Sequence, residues 1–366
     1  MMIGGAAAAA VALPVLRLRR CRARLPWCAL AVVSMGLLFS VDALAQDRSS
    51  RWDPDWDPPR TAWGHPDLQG NWSSATITPL QRPRDQGPTL SWEEVERLEG
   101  RAANRLERVS RPSDPDRGAP RAGGGVGGYN GIYIDAGDVV AKVYGEPRSS
   151  LITHPDDGRV PELTPAAQAR RAERRESRSQ FGQYDHPELR PLGERCLVSF
   201  GSNAGPPMLP NGFYNNNYTI VQTPDHVVIM AEMVHDARII KIGDGPRLPE
   251  HIRPWMGDSW GHWEGDVLVV ETTNIHPLHR YSGEEMKVIE RFSRPSENFL
   301  NYQVTVEDPV VLAQPFVSAP MRWSLAQGPD DVWTEYLCTN NEDADAYQKL
   351  DAEYRENYES GGGPGR

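Results

Sequence analysis

The chain is short of cysteine, of basic clusters and of long apolar runs, and each shortage narrows what it can do. Four of its 366 residues are cysteine, too few for a disulfide-dense scaffold. Lys and Arg number 39 against 50 Asp and Glu, a formal net charge of −11. An acidic chain without a Lys/Arg cluster on an apolar element repels phosphate backbones, so no nucleic-acid partner is expected. Beyond the first 45 residues no run is long and apolar enough to span a bilayer. His276 and His279 flank Pro277 and Leu278 and reproduce no zinc spacing. The glycines of "DRGAPRAGGGVGGYNG" (116–131) match no phosphate loop. Neither a metal nor a cofactor is expected. No G-x-S-x-G elbow is expected and no serine is evidently tied to a base, which sets serine hydrolase chemistry aside.

What is present begins with an export signature. Residues 1–45 carry five arginines, an apolar run from Trp27 to Val41, and Ala43-Leu44-Ala45. That order of charge, apolar core and small residues predicts a secretory signal cleaved before Gln46; the alternative is a retained N-terminal anchor. Cleavage leaves 34 basic and 49 acidic side chains, ten tryptophans, and only Cys196 and Cys338 as cysteines. In an oxidising compartment two such cysteines are expected to form one bridge. Two buried thiols or a catalytic thiol are the other readings. The localisation expected is secreted or periplasmic.

Residues 46–135 read as an extended Pro-, Asp- and Trp-rich arm with an amphipathic helix at 92–109 and the glycine-rich loop. Ser91 and Glu94 form a capping box at the start of that helix. Residues 136–195 read as a linker with a helix at 165–178, opened by Thr164-Pro165. The Arg/Glu mixture of that helix suggests a solvated face. Residues 196–340 change texture: eight short apolar runs, roughly 218–222, 227–234, 237–242, 266–273, 286–292, 299–307, 320–325 and 332–338, are separated by turn residues. They predict a mainly β domain, an antiparallel barrel or sandwich. Residues 341–366 read as an acidic helix and tail.

Three stretches carry a likeness: "SSLITHPDDGRVPELTPAAQAR", "RCLVSFGSNAGPPMLPNGFYNNNYTIVQTPDHVVIMAEMVHDARII" and "MGDSWGHWEGDVLVVETTNI". With them the chain resembles a group of secreted bacterial proteins of unassigned function. The resemblance runs from "HPDLQGNW" to "EYLCTNN". It implies export and a bacterial source, and it assigns no activity or catalytic residue. The strand texture alone is similar to that of lipocalin-type barrels, an analogy of architecture.

Residues two apart on a strand share a face. Glu232 falls with Val228 and Met230, Glu271 with Val267 and Val269, Glu290 with Val288 and Phe292, and Glu335 with Trp333 and Leu337. If those faces line a barrel interior, burial raises the carboxyl pKa values and an arginine restores ionisation. Two such groups can then serve as acid and base. The structural alternative pairs each glutamate with an arginine (Arg238, Arg291, Arg322 or Arg195) or turns it to solvent from an antiparallel sheet. The densest polar cluster is Glu232, His235, Asp236 and Arg238, at the junction of two strands. With Glu290 it forms the expected catalytic set, while Trp260, Trp263, Glu271 and Glu335 are expected to contact ligand. The function expected is binding of a small apolar organic molecule and its transformation by cofactor-free acid/base chemistry of lyase, isomerase or hydrolase type. A non-catalytic carrier and an interaction protein are the alternatives, and the oligomeric state is not legible.

Overall fold

Alternation of buried and accessible residues with a period of two runs through most of the chain's second half, and it folds into staves of a barrel. In the computed structural model the described residues are 56–111, 135–182, 185–193, 195, 197–198, 205–210, 216–232, 236–279, 283 and 285–325. The chain divides into Met1–Arg51 and Trp52–Arg366, and all described residues lie in the second unit. The first elements in chain order are β1 (Gly70–Ser73), α1 (Trp92–Ser110), β2 (Lys142–Val143), β3 (Glu146–Pro147), β4 (Ile152–His154) and α2 (Pro165–Ser179). Strands β5 (Asn217–Gln222), β6 (His226–Ala231), β7 (Ala237–Ile242), β8 (Asp258–Glu264) and β9 (Val267–Thr273) follow. The last are β10 (Lys287–Ser296), β11 (Phe299–Glu307), β12 (Phe316–Ser318) and β13 (Met321–Leu325).

Nine staves close into a ring in the order β10, β9, β8, β7, β6, β5, β1, β13, β11, with β11 pairing back to β10. Strands β12 and β4 extend the sheet from β11. The fold is mainly β and a barrel, as the sequence predicts, with one difference: β7 and β8 run parallel, Ile240 opposite Ser259 and Ile242 opposite Gly261. The sheet is therefore mixed. The parallel step needs a long return, supplied by residues 243–257.

Two further differences concern where the staves come from. Strand β1 belongs to the segment read as an arm, yet it pairs with both β5 and β13. Its Trp72 is wholly buried and donates from Nε1 to Leu68 O at 2.9 Å. The side chain of Gln222 fastens this segment by accepting from Leu68 N and donating to Pro66 O. Strand β8 falls between the expected runs 237–242 and 266–273, where no strand is predicted. The expected strand at 332–338 and the acidic helix fall outside the described residues. Both helices form as expected: Ser91 and Glu94 make the reciprocal capping box of α1, and Thr164 caps α2 with Pro165 at its first position.

Register partners on the inner face are buried around the whole ring, from Trp72 and Tyr218 through Ile229, Ile240, Val270 and Val304 to Trp323. The lumen is filled by aromatic rings. Tyr218 stacks on Trp323 at 4.7 Å, Tyr302 lies 4.8 Å from Trp323, and Phe292 lies 5.1 Å from Tyr302. Such offset and tilted contacts stabilise a packed core beyond the area they bury.

Candidate functional site

Among the described residues, two charges sit within this apolar lumen. Alternation along β7 turns Arg238 and Ile240 inward, and alternation along β10 turns Val288, Glu290 and Phe292 inward. Arg238 is 3% exposed and Glu290 0%. They meet across the lumen as a two-pronged pair, Nη1 to Oε2 at 2.5 Å and Nη2 to Oε1 at 3.1 Å. The Tyr302 hydroxyl donates to Glu290 Oε1 at 2.8 Å and accepts from Met208 N at 2.9 Å. Burial pushes the Tyr302 phenol well above its usual range, with the adjacent Glu290 charge adding to the effect. Residues 205–210 are buried throughout and lie over this cluster, with Met208 Sδ 4.0 Å from Arg238 Nη2. Both oxygens of the carboxylate are thus engaged by protein donors. A buried ion of either sign is tolerated because it is paired and hydrogen-bonded in this way.

Of the expected catalytic set, the structure brings Arg238 and Glu290 into direct contact. The inner face of β6 carries Val227, Ile229 and Ala231, and Glu232 follows one residue past the end of that strand, half-buried. Its carboxylate accepts from Asn217 Nδ2 at 3.0 Å on the outside of β5. Asp236 sits just before β7, where its carbonyl accepts from Ala231 N. His235, Glu335, Cys196 and Cys338 lie outside the described residues.

The ligand-contact set also divides. Glu271 is outward, in ion pairs with Arg247 at 3.0 Å and Lys287 at 3.8 Å. Trp260 and Trp263 are three apart on one strand and so face opposite ways. Trp260 lies outside, with Lys241 Nζ 4.8 Å above its ring and its indole edge pressed against Gly245, where a Cβ would collide with it. Trp263 packs against the core and stacks on His65 at 4.8 Å. One pattern escapes the sequence reading: Gly257-Asp258-Ser259-Trp260-Gly261 spells G-x-S-x-G. A nucleophile elbow needs a sharp strand-to-helix turn. Ser259 instead is the second residue of β8, buried, with its hydroxyl 2.8 Å from Thr272 Oγ1. Among the described residues no group of three or more His, Cys, Asp and Glu side chains is placed to hold a metal.

Outside the barrel lies a groove of about 940 Å³ between α2 and the loops that follow β9 and β11. The N-terminus of α2 is fixed to the second loop: Thr164 N donates to Val311 O at 2.9 Å and Thr164 Oγ1 to Val310 O at 2.7 Å. Asp308 holds the loops to each other by accepting from Gly283 N, Val310 N and Val311 N. Burial raises its carboxyl above the usual range, outweighing those donors and the Arg170 charge. His279, on the groove wall, has Nε2 3.0 Å from Gly205 O and so ties the groove to the segment lying over the buried pair. Arg170, Arg171, Arg174, Arg175 and Arg178 line the helix side. The sequence reading passes over these arginines because Glu173 and Glu176 are interspersed with them. Spacing is the missed signal: at about 100° per residue the five arginines fan over roughly 140° centred near Ala167, and the two glutamates fall outside that arc.

No family model, no curated protein and no solved structure matches the chain.

Proposed function

We propose that this chain is an exported small-ligand-binding protein, with the barrel as a rigid scaffold and the groove beside α2 as the ligand seat. The observation that carries this reading is a contrast in occupancy. Arg238, Glu290 and Tyr302 spend their polar groups on one another inside an aromatic-filled lumen, whereas the groove is open and of a size suited to a small organic molecule. A carrier follows from this more directly than an acid/base enzyme, because Glu290 would have to exchange Arg238 for substrate before it could move a proton.

The test is calorimetric titration of the purified protein with a ten-carbon amphiphile series, decyl sulfate, decanoate and decyl glucoside. At least one member is expected to bind with unit stoichiometry. Leu278→Asp, which puts a charge on the groove wall, is expected to abolish that binding, while the paired change Arg238→Met with Glu290→Leu leaves it intact. Binding lost in the paired variant and kept in Leu278→Asp would return the ligand to the lumen and defeat the groove reading. Export is supported by the N-terminal charge, the apolar core and Ala43-Leu44-Ala45. Mass spectrometry of the protein from its native host should give Gln46 as the first residue, and alkylation without reductant should leave Cys196 and Cys338 unmodified. A chain beginning before residue 46 would contradict cleavage at that site.

A further inference from the structure

We infer that the groove selects an amphiphilic anion, a hydrocarbon body bearing a single oxyanion head; the inference rests on the ligand-binding reading above. Three observations carry it. The first is the distribution of charge on α2. Arg170, Arg174 and Arg178 stand four apart in succession, as do Arg171 and Arg175, and like charges at that spacing destabilise a helix. Neither glutamate of α2 has an arginine four residues away in either direction. A face that only needed solubility would gain by interleaving the signs. This helix concentrates one sign on its groove side, in a chain whose net charge is −11.

The second observation is that the ladder is not spent on ion pairs among the described residues. Among the described residues none of the five arginines takes part in an ion pair, and the hydrogen bond that one of them makes, Arg170 Nη2 to Val310 O at 3.4 Å, is to a backbone carbonyl. Asp308, the carboxylate beneath the wall, is buried and committed to three backbone N–H groups. Guanidinium groups present forked donors that suit carboxylate, sulfate or phosphate oxygens.

The third is the opposite wall, which is aliphatic: Leu163, Pro277, Leu278, Val310 and Val311 face the same space, and Leu278 is exposed. A purely inorganic anion would leave that wall wet, and a neutral hydrocarbon would leave the arginines without a partner. A molecule with an apolar body and an anionic head matches both sides. The ligand is a soluble monomer rather than a bilayer surface, because the groove is a cleft between a helix and two loops.

The experiment compares, on the purified protein, decyl sulfate, decanoate, neutral decyl glucoside, inorganic sulfate, and vesicles of phosphatidylglycerol. The two anionic amphiphiles are expected to bind one per chain, with decyl glucoside and inorganic sulfate each about tenfold weaker or more. The triple change Arg170→Gln, Arg174→Gln, Arg178→Gln should cost decyl sulfate about tenfold in affinity and leave decyl glucoside unchanged. Glu173→Gln with Glu176→Gln should not weaken decyl sulfate. Circular dichroism on the variants confirms that α2 is retained. Equal binding of decyl glucoside and decyl sulfate, both lost in Leu278→Asp, overturns the anionic preference while leaving the groove as the ligand seat. Inorganic sulfate as tight as decyl sulfate overturns the amphiphile. Adsorption to vesicles without unit binding of either soluble anion overturns the soluble ligand. Binding of no probe, or binding indifferent to Leu278→Asp, removes the groove reading itself and this inference with it.

Discussion

The lumen and the groove handle arginine in opposite ways. Inside, one guanidinium meets one carboxylate with both prongs, and a phenol completes the shell. Outside, five guanidinium groups crowd one helix face with no acidic partner among the described residues. The difference teaches where charge is spent on the fold and where it is left available. A buried unpaired ion costs several kcal/mol, so the lumen tolerates charge only in matched sets. A solvated ion costs little, so an unmatched set at the surface can be kept for something that arrives from solution.

The comparison is broken most severely from the inside. Glu290→Ala leaves Arg238 buried without its counter-ion and should cost about 3–5 kcal/mol, read as a lowered urea midpoint with an unchanged m-value. Removing both charges together, Arg238→Met with Glu290→Leu, should recover most of that loss. If the paired variant is as unstable as the single one, the pair is not an isolated unit. Next in size is Tyr302→Phe, which takes a donor from Glu290 Oε1 and an acceptor from Met208 N and should cost about 1–3 kcal/mol. On the groove side the expected stability change is small and of opposite sign. Arg174→Gln relieves repulsion with Arg170 and Arg178 and should stabilise the protein by less than about 0.5 kcal/mol, while weakening anionic amphiphiles.

The smallest effect is a matter of pH. Because burial raises the Asp308 carboxyl, its contribution to stability is fullest below the unfolded carboxylate value near about 4 and declines as the pH rises through the raised native value. Asp308→Asn should flatten that part of the stability profile. Asp258 behaves conversely. Burial would raise it, but Leu248 N and Lys241 outweigh burial and its carboxyl lies below the usual range. Its contribution is present above the unfolded value and lost as the pH falls through the native one. An unaltered slope in the Asp308 variant would show that the groove loops do not depend on that carboxylate.

Much of the barrel was legible because alternation is a local signal. Strands β5, β6, β7, β9, β10, β11 and β13 all fall on predicted runs. Parity says which residues share a face, however, and is silent about which face is inside. Glu271 and Glu290 both sit among valines and aromatics, yet only Glu290 enters the lumen, since β9 is apolar on both faces, with Val269 buried on the outer side. Strand β1 was illegible because four residues with one inward tryptophan make too short a pattern, and its partners are more than a hundred residues away. Of the candidate site, Arg238 and Glu290 were visible as individuals but not as a couple, which depends on the curvature of the closed sheet. The groove was hidden by composition, since counting charges on α2 obscures their phase.

The like-directed pair β7 and β8 has an arithmetic cause. Around a closed ring, strand direction can alternate without interruption only if the number of staves is even. With nine, at least one neighbouring pair must point the same way. The mismatch falls between β7 and β8 alone, because the other register partners in the ring are all antiparallel. Residues 243–257 are therefore not an insertion that could be trimmed to a tight turn. A tight turn there would set β8 antiparallel to β7 and force the like-directed pair to another point of the nine-stave ring.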